Sequence, residues 1–123
     1  MSELYESGED YIEAILMLQQ EKGFARSVDV AKKLGVSKPS VSRAMGILEE
    51  KGYIEVGDGG ALLLTDKGKS AAGAVLNRHE TLTKLLVKIA GVSVEQAEEN
   101  ACRIEHDIDD DVFTGIKNWL SKN

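Results

Sequence analysis

Two short predicted helices, joined by a three-residue link, constrain the fold of this chain more than any other feature. Ser27 is placed to cap a helix that runs to Leu34 and is ended by Gly35. Ser37 is placed to cap a second helix over residues 38–51. The length of the link and its glycine are typical of a helix-turn-helix.

A glycine-rich β-hairpin is predicted directly after this helix pair. Residues 53–56 and 61–64 have the composition of short strands, and the four residues between them include three glycines. A small hairpin in this position is a wing. The first part of the chain is therefore expected to be a winged helix-turn-helix.

Four other helices are predicted from apolar residues spaced by three and four positions. They are a first helix from about Leu4 to Glu21, a long helix capped by Thr65 that runs to about Ala90, a helix capped by Ser93 that runs through His106, and a last helix that opens at Asp109. The last three carry more apolar side chains than about fifty residues could hide among themselves, so a second copy is expected to cover them. The alternative is that they fold back on the winged part.

The expected fold is mostly α and has two domains. Residues 1–72 are predicted to form an N-terminal winged helix-turn-helix with a small β-hairpin wing, and residues 73–123 a helical dimerisation domain. The only cysteine, Cys102, excludes an intramolecular disulfide. No apolar run reaches the roughly 18 residues of a membrane span, and the acidic N-terminus is unlike a signal peptide, so a cytoplasmic protein away from membranes is expected.

Charge is distributed unevenly along the chain. The net charge of −6 by itself argues against phosphate binding, which depends on lysine and arginine. Residues 24–48, however, hold five basic side chains and one acidic one, a net charge of +4, which leaves −10 for the rest of the chain. One end of the chain is therefore suited to anions and the other to cations.

The first turns of the second predicted helix carry short polar and basic groups that suit DNA. Serine hydroxyls and a helix N-terminus are typical phosphate contacts, and Arg43 could pair with guanine in the major groove. For an isolated helix, a solvated face with an ordinary cap would be the better interpretation, but the neighbouring helix and the wing favour DNA. The predicted DNA-binding residues are Ser37, Lys38, Pro39, Ser40, Ser42 and Arg43.

A cluster near the C-terminus has the side-chain types of a metal site. Cys102, Glu105 and His106 fall on one face of a predicted helix. Thiolate, carboxylate and imidazole are ligands for divalent transition metals, and thiolate disfavours magnesium or calcium. This cluster therefore predicts a transition-metal site.

Three residues elsewhere in the chain are candidates for the same site. Asp10 and Glu13 share a face of the first helix, and His79 lies on the long helix. Each candidate alone has an ordinary explanation as a solvated acid or a core histidine. Together they favour a metal site, because both histidines and the only cysteine of the chain would take part.

Two other interpretations of the C-terminal cluster rest on the same residues. A catalytic pair of Cys102 with His106 is disfavoured, because the carboxylates around it oppose a thiolate and no glycine-rich oxyanion loop lies beside it. A structural zinc site stays open, although no CxxC pair supports it. An enzyme is therefore not predicted.

Five segments, in order along the whole chain, resemble the diphtheria toxin repressor family of metal-dependent transcriptional repressors, including its manganese transport regulator branch. They are Glu9–Glu13, Val28–Leu48, Leu64–Gly68, Arg78–Glu80 and Ala101–His106. The resemblance implies a winged-helix DNA-binding domain, a helical domain that forms a homodimer, and Fe(II) or Mn(II) as co-repressor, with zinc, cobalt or nickel as other possible metals. It also implies control of metal-uptake genes through palindromic operators in double-stranded DNA.

The resemblance also implies a ligand set. Members of the manganese branch have a carboxylate at the position of Cys102 and hold two metals. Members of the iron branch have a cysteine there but a methionine at the position of Asp10, so this chain combines features of both branches. The implied ligands are Asp10, Glu13, His79, Cys102, Glu105 and His106.

The second metal site of the iron branch is only partly matched. It uses a glutamate where this chain has Thr83 and a histidine where this chain has Glu98. Glu80 or Glu98 could substitute, so one metal and two metals per subunit are both open.

The sequence therefore predicts a metal-dependent repressor, with ligands drawn from both domains so that a metal would link them. The alternatives are a metal-independent or small-molecule-controlled winged-helix regulator, and a metal-buffering protein or metal-dependent enzyme. Operator binding that ignores a chelator would indicate the first alternative. Metal binding without salt-sensitive DNA binding would indicate the second.

Overall fold

The computed structural model describes residues 6–123, with side chains from Ser7 onwards. Within that range there are six α-helices and one two-stranded antiparallel sheet, which confirms the expected fold class. No helix there combines the length and the apolar character that crossing a bilayer requires. The predicted start of the first helix at Leu4 lies outside the described residues. In chain order the elements are α1 (Glu6–Lys22), α2 (Ser27–Leu34), α3 (Lys38–Glu50), β1 (Ile54–Val56), β2 (Leu62–Leu64), α4 (Asp66–Ala90), α5 (Val94–Ile104) and α6 (Asp110–Lys122).

The chain divides into two compact units, and the division falls between Gly73 and Ala74, inside α4. The winged unit, which ends at Gly73, contains α1 to α3, both strands and the beginning of α4. The helical unit, which begins at Ala74, contains the rest of α4 with α5 and α6. Each unit contains some of the residues that the sequence predicts to bind metal or DNA.

The core of the winged unit forms because apolar residues recur on one face of α1. Ile12, Ile15 and Leu18 are buried, and their spacing of three residues places them on one side of the helix. This core packs α3 and the hairpin against α1. The cluster also contains side chains of α2, α3 and both strands, among them Val30, Val41, Met45, Leu48, Ile54, Leu62 and Leu64.

Caps set the ends of the helix-turn-helix. Ser37 caps α3 as predicted, and its hydroxyl accepts a hydrogen bond from the backbone N–H three residues later at 3.3 Å. Gly35 ends α2 with φ of +67°, a left-handed conformation that glycine adopts at little cost. The predicted cap of α2 is wrong by one residue. Ser27 is the first helical residue and Arg26 is the N-cap, because the Asp29 carboxylate accepts a hydrogen bond from the Arg26 N–H at 3.2 Å.

The wing is a hairpin of two three-residue strands, each slightly shorter than predicted. β1 and β2 pair in antiparallel register, with Glu55 opposite Leu63. Leu62 and Leu64 are buried and Leu63 is exposed, which is the alternation of a strand with one face on a core. The turn at residues 57–60 is short and glycine-rich, as predicted.

Hydrogen bonds connect the start of α4 to the segment between α3 and the wing. Thr65 caps α4 as predicted, and its hydroxyl accepts from the N–H of Gly68 at 3.1 Å and donates to the carbonyl of Gly52 at 2.6 Å. A Cβ added at Gly68 would collide with the carbonyl oxygen of Tyr53. Glycine is therefore required where the long helix passes the hairpin.

The end of α5 differs from the sequence prediction. Ser93 caps this helix as predicted, but it ends at Ile104 and does not run through His106. The carbonyl oxygens of Glu105 and Ile108, which follow the helix, accept hydrogen bonds from the guanidinium of Arg78 on α4. Residues 105–109 are therefore a turn between α5 and α6.

The helical unit hides few apolar side chains. Those buried in it are Val75 and Leu82 on α4 and Ala97 and Ala101 on α5. α6 contains no buried residue at all. The large apolar side chains that stay exposed are Ile89, Val94, Ile104, Val112 and Trp119.

Candidate metal centre and DNA-binding surface

The Glu105 carboxylate is the centre of the candidate metal site in the helical unit. Glu105 is fully buried and follows the last residue of α5, with its N–H still bonded to the carbonyl of Ala101 at 2.9 Å. Its Oε2 lies 3.0 Å from Nδ1 of His79, and its Oε1 lies 3.4 Å from Nε2 of His106. One buried carboxylate therefore lies between two imidazoles.

Oε1 of Glu105 is a buried oxygen atom without a hydrogen-bond partner among the described residues. Burying such an atom costs roughly 1–3 kcal/mol, and more for a charged group. A cation bound there would remove the cost. The sulfur of Cys102, which is exposed, lies within 4.8 Å of a carboxylate oxygen of Glu105. Imidazole, carboxylate and thiolate together fit a divalent transition metal.

Arg78 holds the segment that carries Glu105 and His106, and sequence reasoning gave it no role. It is buried, and it donates to the carbonyl oxygens of Glu105 at 3.2 Å and Ile108 at 2.6 Å. It also pairs with the carboxylate of Asp110 in the first turn of α6. The sequence signal for such a role is that Arg78 immediately precedes His79, a predicted ligand on the same helix.

The residues considered for a second metal site do not form one in the described part of the chain. The hydroxyl of Thr83 donates to the backbone carbonyl of His79 at 2.7 Å, so it serves α4 itself. Glu80 and Glu98 are exposed and belong to no group of three or more candidate ligands among the described residues.

Asp10 and Glu13 lie in the winged unit, on one face of α1. Asp10 is half-buried and Glu13 is 6% exposed. A carboxylate that is so little exposed needs compensating partners or a cation. The other four predicted ligands, namely His79, Cys102, Glu105 and His106, lie together in the helical unit.

The N-terminal turns of α3 present the predicted DNA-binding residues. The hydroxyls of Ser37 and Ser40 are 2.8 Å apart and form the helix cap, so their role is to order the turn. Lys38, Ser42 and Arg43 are exposed. The opposite face of α3, with Val41, Met45 and Leu48, is buried in the core. The exposed N-terminal part of α3 is therefore polar and basic, whereas its C-terminal part exposes Ile47, Glu49 and Glu50.

A further cation lies beside the wing. The guanidinium of Arg26 is 5.3 Å from the centre of the Phe24 ring and approaches the turn at Gly59. Both Arg26 and Phe24 are exposed. Sequence reasoning counted Arg26 only in the basic window, because its nearness to the wing depends on the tertiary fold.

Two family models match successive parts of the chain. The model described as iron dependent repressor, N-terminal DNA binding domain, covers residues 3–62. The model described as iron dependent repressor, metal binding and dimerisation domain, covers residues 65–122. The chain belongs to the iron-dependent repressor family. The resemblance inferred from the sequence is thereby confirmed.

Individual relatives agree with this assignment. The chain is 34% identical over 112 residues to the iron-dependent repressor IdeR of Mycobacterium tuberculosis, covering 91% of this chain and 49% of that protein. It is 40% identical over 100 residues to the HTH-type transcriptional regulator MntR of Bacillus pumilus, covering 81% of this chain and 69% of that protein. A solved manganese-dependent transcriptional repressor, in complex with manganese, superposes with a TM-score of 0.82 at 29% identity, over 92% of this chain and 52% of that one. This family member thus spans about half the length of its iron-dependent relatives.

Proposed function

We propose that this chain is a metal-dependent transcriptional repressor that binds operator DNA when Fe(II) or Mn(II) is bound. The observation that supports the proposal most is the buried Glu105 carboxylate, which lies between His79 and His106 and beside Cys102. The same chain carries a winged helix-turn-helix with exposed Lys38 and Arg43 in the first turns of α3. A candidate metal site and a candidate DNA-binding surface are thus present in one chain of 123 residues.

The proposed metal ligands are those predicted from the sequence. His79, Glu105 and His106 supply nitrogen and oxygen donors that suit iron and manganese, while the Cys102 sulfur also suits zinc or cobalt. When bound, the metal supplies positive charge that offsets the carboxylates around it. Asp10 and Glu13 of α1 complete the set that the resemblance implies, and their participation stays a prediction.

On the DNA side, each proposed contact follows from residue chemistry. Lys38 and Ser42 are suited to phosphates, and Arg43 to a base edge in the major groove. The cap formed by Ser37 and Ser40, with Pro39 in the first turn, orders the N-terminus of α3 for these contacts. We place the DNA-binding function in residues 1–72 and metal binding and dimerisation in residues 73–123.

A homodimer on a palindromic operator is part of the proposal. Five large apolar side chains of the helical unit are exposed, and α6 has no buried residue. A second copy would cover such a surface and would present two copies of α3 to successive major grooves. We assign the chain no catalytic reaction, and as a regulator of metal-uptake genes it would act in the cytoplasm.

Fluorescence anisotropy on a labelled palindromic metal-uptake promoter tests the proposal. Mn(II) and anaerobic Fe(II) are titrated separately, a chelator is then added, and a scrambled duplex is the control. Coupling free energies between such sites are about 1–3 kcal/mol, so the metal should tighten operator binding by about 5- to 150-fold, and the chelator should reverse the effect. Tight operator binding that ignores both metal and chelator would indicate a metal-independent regulator.

A further inference from the structure

A groove between α4 and α6 of the helical unit has the lining of an anion-binding site. It is an open groove with a volume of about 520 Å³. Three lysines, three neutral polar side chains and one leucine line it: Asn77, Thr81, Lys84, Lys88, Lys117, Leu120 and Ser121. We call this feature the α4–α6 groove.

Charge in the helical unit is segregated around the α4–α6 groove. From Ala74 onwards the sequence has four lysines and nine carboxylate residues. Three of the lysines line the groove, and none of the nine carboxylates does. Lys84 and Lys88 are one helical turn apart on α4, a like-charge spacing that destabilises a helix slightly. Among the described residues, neither Lys84 nor Lys117 forms an ion pair with a carboxylate.

Two of the three ammonium groups lie over aromatic rings of α6. That of Lys88 also donates to the backbone carbonyl oxygen of Asn123. Nζ of Lys88 lies 5.8 Å from the centre of the Trp119 ring, and Nζ of Lys117 lies 5.6 Å from the centre of the Phe113 ring. Side chains that are already ordered lose less entropy when a ligand binds. The hydroxyl of Thr81 adds a neutral hydrogen-bond donor to the lining, whereas that of Ser121 donates to the carbonyl of Asn118 at 2.8 Å and offers the groove an acceptor.

We propose that the α4–α6 groove binds a small molecule that carries two or more phosphate groups. Lysine ammonium groups bind phosphate as point charges, and three of them match an anion with several charges better than a single carboxylate. This site is separate from the proposed metal and DNA contacts, so it does not rest on the proposed function. Its ligand would bridge α4 and α6.

Binding of inorganic triphosphate by the metal-free full chain tests this site. Isothermal titration is done in chelator at constant ionic strength, on wild type, on Lys84→Gln/Lys117→Gln and on the matched control Lys122→Gln. Lys122 is an exposed lysine of α6 that does not line the groove. We expect the wild type and the control to bind alike, and the double variant to bind at least about tenfold more weakly, because it lacks two charge-assisted contacts.

Amide NMR shifts on the same samples locate the site. Triphosphate should move the resonances of Thr81 and Ser121 and leave those of Lys38 and Arg43 on α3 unchanged. The proposal is overturned if the shifts lie on α3 or if Lys122→Gln weakens binding as much as the double variant. It is also overturned if the wild type does not bind triphosphate.

Discussion

Arg78 is a buried cation whose hydrogen-bond partners all lie between residues 105 and 110. Hydrogen bonds to charged groups contribute about 1.5–3 kcal/mol each. Because Glu105 and His106 lie in this segment, the placement of two candidate ligands depends on a side chain 27 residues earlier than Glu105. Arg78 thus positions two residues of the candidate metal site.

Replacing Arg78 should weaken metal binding as well as folding. Arg78→Met is expected to lower the free energy of unfolding by about 2–4 kcal/mol, since the buried carbonyl of Glu105 and the partly buried carbonyl of Ile108 lose their donor. Loss of such a supporting contact typically costs about 10- to 100-fold in metal affinity. Urea denaturation and electron paramagnetic resonance of added Mn(II) measure the two effects. Arg78→Lys should recover part of the affinity.

Arg103→Met is the matched control for Arg78→Met. Arg103 is exposed on α5 and bonds only to Asn100 one turn earlier among the described residues. Its loss should change the unfolding free energy by less than about 0.5 kcal/mol. A folded Arg78→Met variant with the Mn(II) affinity of the wild type would contradict the positioning role.

Arg43 and Lys38 are expected to contribute to DNA binding in different ways. Arg43→Ala should cost about 1–3 kcal/mol on the operator and relax the preference at one base pair. Lys38→Ala should weaken binding to all duplexes alike and lower the salt slope by about 1. Anisotropy at several salt concentrations, on the operator and its single-base variants, separates the two. Equal losses on every duplex for both variants would contradict base contact by Arg43.

At the level of elements, the features that could be predicted from the sequence are those set by contacts between residues close together in the chain. The caps by Ser37, Thr65 and Ser93 could be predicted because a side-chain oxygen and the N–H that it accepts from are three residues apart. The end of α5 at Ile104 could not, because the competing donor is Arg78 on another helix. Long-range contacts of this kind leave no periodic pattern in the sequence.

Two glycines of α4 should respond in opposite ways to substitution by alanine. Gly68→Ala is expected to lower the free energy of unfolding by at least about 2 kcal/mol, because the added Cβ meets the Tyr53 carbonyl. Gly73→Ala should raise it by about 0.5–1 kcal/mol, because no atom lies within 4 Å of the added Cβ and alanine favours the helix. Thermal and urea unfolding measure both. Equal effects of the two substitutions would contradict the close approach of α4 to the wing.

At the level of the whole molecule, the family and the fold class could be predicted because five motifs follow one another along the chain. The geometry around Glu105 could not be predicted from the sequence. Spacing places Cys102, Glu105 and His106 near one another, but it does not show that Glu105 alone is fully buried or that its Oε1 lacks a hydrogen-bond donor among the described residues. Burial depends on packing, which periodicity does not specify.

Self-association should depend on exposed apolar side chains of the helical unit. Ile89 and Val94 are 59% and 56% exposed, on either side of the glycine that ends α4. Ile89→Glu/Val94→Glu is expected to raise the dimer dissociation constant by about 100-fold, as for two truncated hot-spot side chains. Sedimentation equilibrium measures the change, and Gln96→Glu, which adds charge at an exposed position of α5, is the control. A double variant that dimerises like the wild type would place the dimer contact elsewhere.

The role of Glu105 in metal-dependent repression is tested most directly by the operator affinity of Glu105→Gln as a function of Mn(II), measured beside the wild type. Glu99→Gln is the matched control, because Glu99 is an exposed glutamate of α5 outside every candidate ligand group in the described residues. We expect wild type and Glu99→Gln to gain operator affinity with Mn(II), and Glu105→Gln to stay folded and gain none. An unchanged metal response in folded Glu105→Gln would contradict the central role of this carboxylate.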